Sequence, residues 1–300
     1  MSTGEHSTAD TVRVLEEACR IAGVPFEGVG LIRSGENTIY RLSEQRVARI
    51  GRLGQIDVAA KEIRIARWLQ LNNISAVSPL EEAQAQPIDV RGIPVTFWRE
   101  LPKHRNGTPP EVATALRRLH ALPRPTEFEL GLLAPLARLD KRIQEAVTLS
   151  QDDRDWLQRR AEDLGNRYRI LPDGLAYSAI HGDAWVGNVV VTAAGTTVLL
   201  DLERFSWGPP EWDLVSTAIK SSSFGWITDA DYARFVENYG YDVTRWSGFE
   251  VLRDLRELRM TCHIAQQAAL YPEWALEAQL RTDSLRGKRG DRPWPWTPFL

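Results

Sequence analysis

The chain has 300 residues, 43% of them hydrophobic, which is enough for two lobes with cores of their own. A net charge of −3 excludes the strongly basic profile of a nucleic-acid binder, and no run of ~18 apolar residues offers a membrane span. The two cysteines, Cys19 and Cys262, have no Cys/His cluster around them and read as reduced core residues; with no apolar signal core over residues 1–10, the expected compartment is the cytoplasm.

In chain order, the first predicted helix covers 10–22, with Val12, Leu15, Cys19 and Ala22 at helical spacing and Gly23 as its stop. Strand-like runs follow at 29–32, 38–42, 47–50 and 95–98, interrupted by one helix at 57–71. Residues 101–110 read as a connector. Thr108, Pro109 and Glu111 then form a capping box that opens a helix over 111–122. Helices dominate from there, at 136–147, 152–168, 229–239 and 248–270, with Ser247 and Glu250 as a second capping pattern. The tail after Leu280 reads as loop, its basic segment 281–292 as a solvated tail. The expected division is a β-rich lobe at 1–101 and a helical lobe at 102–300.

Two features of the small lobe suit a nucleotide. Ser34, Gly35 and Asn37 lie in a turn whose N–H groups suit a phosphate, although one glycine also fits an ordinary hairpin. Glu62 falls on the apolar stripe of the helix at 57–71, where a lone carboxylate is costly. Arg49, on the preceding strand, is its expected partner, either to hold the guanidinium at phosphate oxygens or as a plain salt bridge.

The most informative stretch is His181-Gly182-Asp183-Ala184-Trp185-Val186-Gly187-Asn188, followed by an apolar hairpin at 189–192 and 197–200 that ends at Asp201. A two- or four-residue loop sets Asn188 opposite Asp201. That places a cation site beside a carboxylate base, a set suited to phosphoryl transfer.

These residues, with Leu200-Asp201-Leu202-Glu203 and Trp207-Gly208-Pro209-Pro210-Glu211-Trp212-Asp213, resemble the aminoglycoside phosphotransferase (APH-like) family, from about residue 31 to 262. The resemblance implies an α+β, bilobal protein-kinase-like fold, with a small antiparallel β lobe carrying one helix and a larger, mainly helical lobe. It implies an ATP-dependent small-molecule kinase, with GTP as the alternative nucleotide. Asp183 matches the catalytic aspartate, Asn188 and Asp201 the Mg²⁺ ligands, and Glu203 a further ligand or orienting group. Arg99 and Leu101 fall at the adenine-binding hinge. His181 matches a buried loop organiser, and Asp213 a structural aspartate tying helix to loop. The absence of Asp-Phe-Gly and Ala-Pro-Glu segments points to a small-molecule hydroxyl acceptor rather than a protein.

The acceptor site is expected in the helical lobe near Trp185, Trp207, Phe224, Trp226, Glu257 and His263. Eleven acids against six bases over 211–280 suit a cationic amino sugar, although a solvated helix surface has the same composition. The rival to a kinase is a nucleotide-binding partner protein without turnover. A metal-dependent hydrolase is the weaker third reading, since Glu203 alone adds too few ligands. Monomer and homodimer are both open.

Overall fold

The computed structural model describes residues 8–298 except 36, 44 and 84. The chain separates into two compact units that interleave in sequence. The first holds residues 1–107, 125–129 and 186–205; the second holds 108–124, 130–185 and 206–300. The main break therefore lies six residues beyond the expected connector start, and the β-hairpin after the 181–188 stretch belongs with the first unit.

In the first unit α1 (Thr8–Ala22) precedes β1 (Gly30–Arg33), β2 (Thr38–Leu42) and β3 (Arg46–Ile50), then α2 (Ile56–Leu71), β4 (Ile88–Val90), β5 (Ile93–Arg99) and β6 (His104–Asn106). Five strands form an antiparallel sheet in the order β1-β2-β3-β5-β4. Alternation puts Tyr40, Ala48, Val95 and Phe97 on the face that packs with Leu15 and Cys19 of α1. Tyr40 is buried but its hydroxyl is satisfied by Thr11 Oγ1 at 2.7 Å. Arg49, next to Ala48, projects from the opposite face.

In the second unit α3 (Pro109–His120) starts with the expected capping box, Glu111 accepting from the Thr108 N–H at 2.7 Å. Then come α4 (Leu139–Glu145), α5 (Gln151–Arg169) and β7 (Ser178–Ile180). The first unit supplies β8 (Val189–Thr192) and β9 (Thr197–Leu199), which pair with β6 in a three-stranded sheet. The second unit resumes with β10 (Ser206–Gly208), α6 (Glu211–Ser222), α7 (Asp229–Tyr239), α8 (Phe249–Ala268) and α9 (Ala275–Leu285). No helix among the described residues is long and apolar enough to cross a membrane. Both cysteines are free and buried.

Three expectations are corrected here. α6 is absent from the sequence reading; its residues 211–219 are buried all round, the charged ones included. α8 begins after Gly248, without a side-chain cap, so Ser247 and Glu250 form no capping box. The tail is packed rather than solvated. Trp294 and Trp296 are 4% and 2% exposed, and Trp296 stacks on Phe224 with ring centres 4.7 Å apart. Arg292 donates to both oxygens of the fully buried Glu257, at 2.8 and 2.6 Å. Arg286 and Arg292 thus serve as ion-pair partners for the buried acids Asp153 and Glu257. Arg292→Ala leaves Glu257 buried without its cation, and an expected loss of about 3 kcal/mol should appear as a lower urea midpoint at unchanged m-value. An unchanged midpoint would mean the tail does not hold α8.

Candidate active site

The first unit gathers charge around Arg49. β3 directs the guanidinium toward α2, where Nη1 lies 2.8 Å from both carboxylate oxygens of Glu62. Asn37, with its amide oxygen facing the guanidinium, accepts from Nη2 at 2.8 Å and Nε at 3.2 Å. Burial pushes the Glu62 carboxyl above its usual range, Arg49 pulls it down, and Asp201 and Glu203 push it up again. Lys61 bonds the backbone oxygen of Glu203 at 3.2 Å. An open cleft of about 300 Å³ is lined by Asn37, Arg49, Gln55, Glu62, Thr96 and Glu203, among others.

The turn residues behave differently. Ser34 and Gly35 are exposed between β1 and β2. Gly35 keeps a negative φ, and an added Cβ would meet only Arg33 Nε at 3.9 Å. Nothing in the turn demands glycine, and neighbouring Glu36 lies outside the described residues. Arg99 closes β5 with its N–H on Ser78 O at 2.9 Å, and Leu101 follows it just past the strand.

The hairpin register differs from the expected one by one residue. Val189 pairs with Leu199 and Val191 with Thr197, so Asn188 stands opposite Leu200, whose N–H bonds Asn188 O at 2.9 Å. The cause is a three-residue loop, 193–195, closed by Gly195 at φ 81°. Such a slip would turn Asp201 to the other face, but the strand has already ended there. Asp201 is left-handed, φ 52° and ψ 72°, and opens a single 3₁₀ turn, Leu202–Arg204, that contains Glu203. Holding a non-glycine residue there costs of order 1–3 kcal/mol, and such outliers cluster at functional sites. Asn188, Asp201 and Glu203 are all hard oxygen donors, fit for Mg²⁺ but few in number. No cluster of three His, Cys, Asp or Glu able to hold a metal occurs among the described residues.

The second unit fixes the 181–183 backbone. Asp213, fully buried on α6, accepts the His181 N–H at 2.7 Å and the Gly182 N–H at 2.9 Å. His120 Nε2 reaches the same carboxylate at 3.2 Å, and its Nδ1 meets Tyr239 Oη at 2.8 Å. Gly182 O accepts from Trp212 Nε1 and Arg256 Nη2. Gly182 has φ 83°, a conformation that favours glycine. His181 is buried, and its Nδ1 accepts the Asp183 N–H at 3.3 Å. Asp183 itself keeps 37% of its side chain exposed, with Arg256 Nη1 at 3.7 Å.

Comparison with known proteins decides the family. The model of the phosphotransferase enzyme family matches residues 30–282. The chain belongs to that family. Its fold is the kinase-like α+β fold: an amicoumacin kinase solved with AMP-PNP, Ca²⁺ and Ami superposes with a TM-score of 0.72 at 13% identity, covering 96% of either chain. A choline kinase from Streptococcus pneumoniae gives 0.61 at 14% identity over 93% of this chain and 99% of its own. A spectinomycin phosphotransferase solved with ADP and spectinomycin gives 0.60 at 15% identity, over 94% and 95%. No curated protein matches significantly.

Among the residues expected near the acceptor of this phosphotransferase, Trp185 lies beneath Lys220, whose Nζ is 4.8 Å from the ring centre. Trp207 sits on β10 with Arg124 over its ring at 5.3 Å. His263 is half-buried on α8. Trp226 and Glu257 serve the tail instead, Trp226 Nε1 bonding Trp296 O at 2.7 Å and Glu257 bonding Arg292. Phe224 joins the same aromatic stack. Two cations beside Asp183 went unread, Arg256 and Lys220.

The Arg49–Glu62 pair yields a discriminating test. Arg49→Ala strands Glu62 near Asp201 and Glu203, at an expected cost of about 3–5 kcal/mol. An Arg49→Met/Glu62→Leu double variant should recover most of that stability yet bind nucleotide poorly. Recovery of nucleotide affinity together with stability, read by calorimetric titration and thermal melting, would reduce the pair to a structural contact.

Proposed function

We propose that this phosphotransferase moves the γ-phosphoryl group of ATP to a hydroxyl of a small acceptor, with Mg²⁺ as its metal. The observation that carries this reading is the contrast within one loop: the backbone of 181–183 is locked by buried partners while the Asp183 carboxylate remains accessible. The solved relatives carrying AMP-PNP or ADP support an adenine nucleotide.

In this reading Asp183 accepts the acceptor's O–H and keeps its oxygen directed at the γ-phosphorus. As the new P–O bond forms and the bond to the bridging oxygen of ADP breaks, the hydroxyl proton passes to Asp183. Locking the loop beforehand is what makes this orientation effective. Arg49, held by Glu62 and Asn37, contributes permanent positive charge toward the phosphates. Asn188 and Asp201, with Glu203 as the third donor, would hold Mg²⁺, which when bound offsets triphosphate charge. A partner protein without turnover would have no use for an exposed carboxylate on so fixed a loop.

The test is ADP release with and without Mg²⁺ across sugars, amino sugars, nucleosides and antibiotics. Release that needs both the metal and a hydroxyl compound is expected. Tight nucleotide binding with no acceptor-stimulated release would favour the binding-protein alternative.

A further inference from the structure

Lys220 has an unusual environment for a lysine. It follows the buried stretch of α6, and its ammonium lies against the Trp185 ring at 4.8 Å. Its side chain makes no hydrogen bond or ion pair with any described residue. Burial pushes its pKa from 10.5 down to about 8; Asp183, on the 181–185 loop, pulls it up and Arg256, on α8, pushes it down. At neutral pH three N–H donors therefore sit half-buried beside an aromatic face, partly taken from water. Natural interiors rarely leave a cation so, because a charge taken from water needs an acceptor in exchange.

Acids that would attract a cationic acceptor are engaged elsewhere in this unit. Glu211 accepts the Leu175 N–H, Asp213 holds the loop, Glu257 binds Arg292, and Asp254 binds Arg160. These buried acids are thus engaged by the fold, while the charges acting beside Asp183 are the cations Lys220 and Arg256. Arg256 already donates to Gly182 O and Trp212 O. Lys220 adds three donors beside that loop.

We propose that Lys220 anchors an oxyanion substituent, a carboxylate or a phosphate monoester, on the hydroxyl compound that Asp183 orients, so that the acceptor is anionic rather than an amino sugar. This rests on the phosphotransferase reading above and adds the acceptor's charge to it.

The experiment pairs acceptors that differ in charge: gluconate and glucose 6-phosphate against glucose, glycerate against glycerol, and glucosamine as the cationic member. Gluconate and glucose 6-phosphate separate the carboxylate from the phosphate source. An oxyanion-bearing member is expected to drive ADP release with a KM at least about tenfold below its neutral counterpart. Lys220→Met, which keeps an apolar stem over Trp185, should raise that KM about ten- to a hundredfold, leave the ATP KM unchanged, and melt no lower than the parent. In ¹³C NMR of labelled lysine, the Lys220 titration should move upward from about 8 when the oxyanion binds. Release driven equally by neutral or cationic members, or by no oxyanion at all, overturns the inference and leaves the phosphotransferase reading standing. A Lys220→Met effect on the ATP KM alone also overturns it, by placing the lysine at the nucleotide. Absence of Mg²⁺-dependent release with every hydroxyl compound defeats the phosphotransferase reading itself.

Discussion

Asp183→Ala is expected to bind nucleotide with unchanged affinity and to transfer phosphoryl groups about 10²- to 10⁴-fold more slowly. The asymmetry follows from where Asp183 acts. In the proposed mechanism its carboxylate meets the acceptor hydroxyl, whereas the nucleotide is assigned to Arg49, Asn188 and Asp201. The side chain is 37% exposed, so its removal opens no core cavity. It does remove the one negative charge that supports the Lys220 ammonium, so the already lowered titration of Lys220 should fall further. Calorimetry for nucleotide binding, single-turnover kinetics for transfer and NMR for Lys220 check the three parts separately. Normal transfer by Asp183→Ala would remove the base from the mechanism.

Asp213→Ala should be the most damaging single change to both stability and turnover. It strips buried acceptors from the His181 and Gly182 N–H groups and one of two partners from His120. Each orphaned buried donor costs about 1–3 kcal/mol, so an overall loss of about 3–5 kcal/mol is expected. The loop that presents Asp183 would then lose its fixed geometry. Asp213 also predicts an acid limit. Burial alone would raise its pKa, but His120, His181 and Arg256 more than offset this, and the carboxyl sits below its usual value. A depressed folded-state pKa contributes stability above the unfolded value of ~3.9, which is lost as pH falls through the folded one. Asp213→Asn should therefore be less stable at neutral pH and show a flatter stability profile below pH ~4. A parent-like melting curve and normal turnover in Asp213→Asn would mean that other contacts hold the loop.

Much of this was legible from residue order because local chemistry decided it. The helix at 10–22 appears as Thr8–Ala22, since its apolar spacing and Gly23 agree on the boundaries. The capping box at Thr108 and Glu111 forms as its side chains dictate. Glu62 on an apolar stripe called for a cation, and Arg49 supplies it. What escaped depends on distant partners. The register of β8 and β9 turned on whether Gly195 would close a three-residue loop, which alternation alone does not decide. α6 carries apolar residues at helical spacing, Trp212, Val215 and Ile219, but its acids Glu211 and Asp213 are buried with them, by partners that residue order does not name. The tail's tryptophans look solvated until Phe224 and Ser223, some 70 residues earlier, are seen to receive them.

The Glu257–Arg292 pair also has a temporal consequence. During synthesis Glu257 is made 35 residues before its guanidinium partner, so until residue 292 emerges the helix must either keep Glu257 wet or bury it protonated. The second unit should therefore complete its packing late in translation, and nascent chains arrested short of residue 292 should be markedly more open to protease than those released just beyond it.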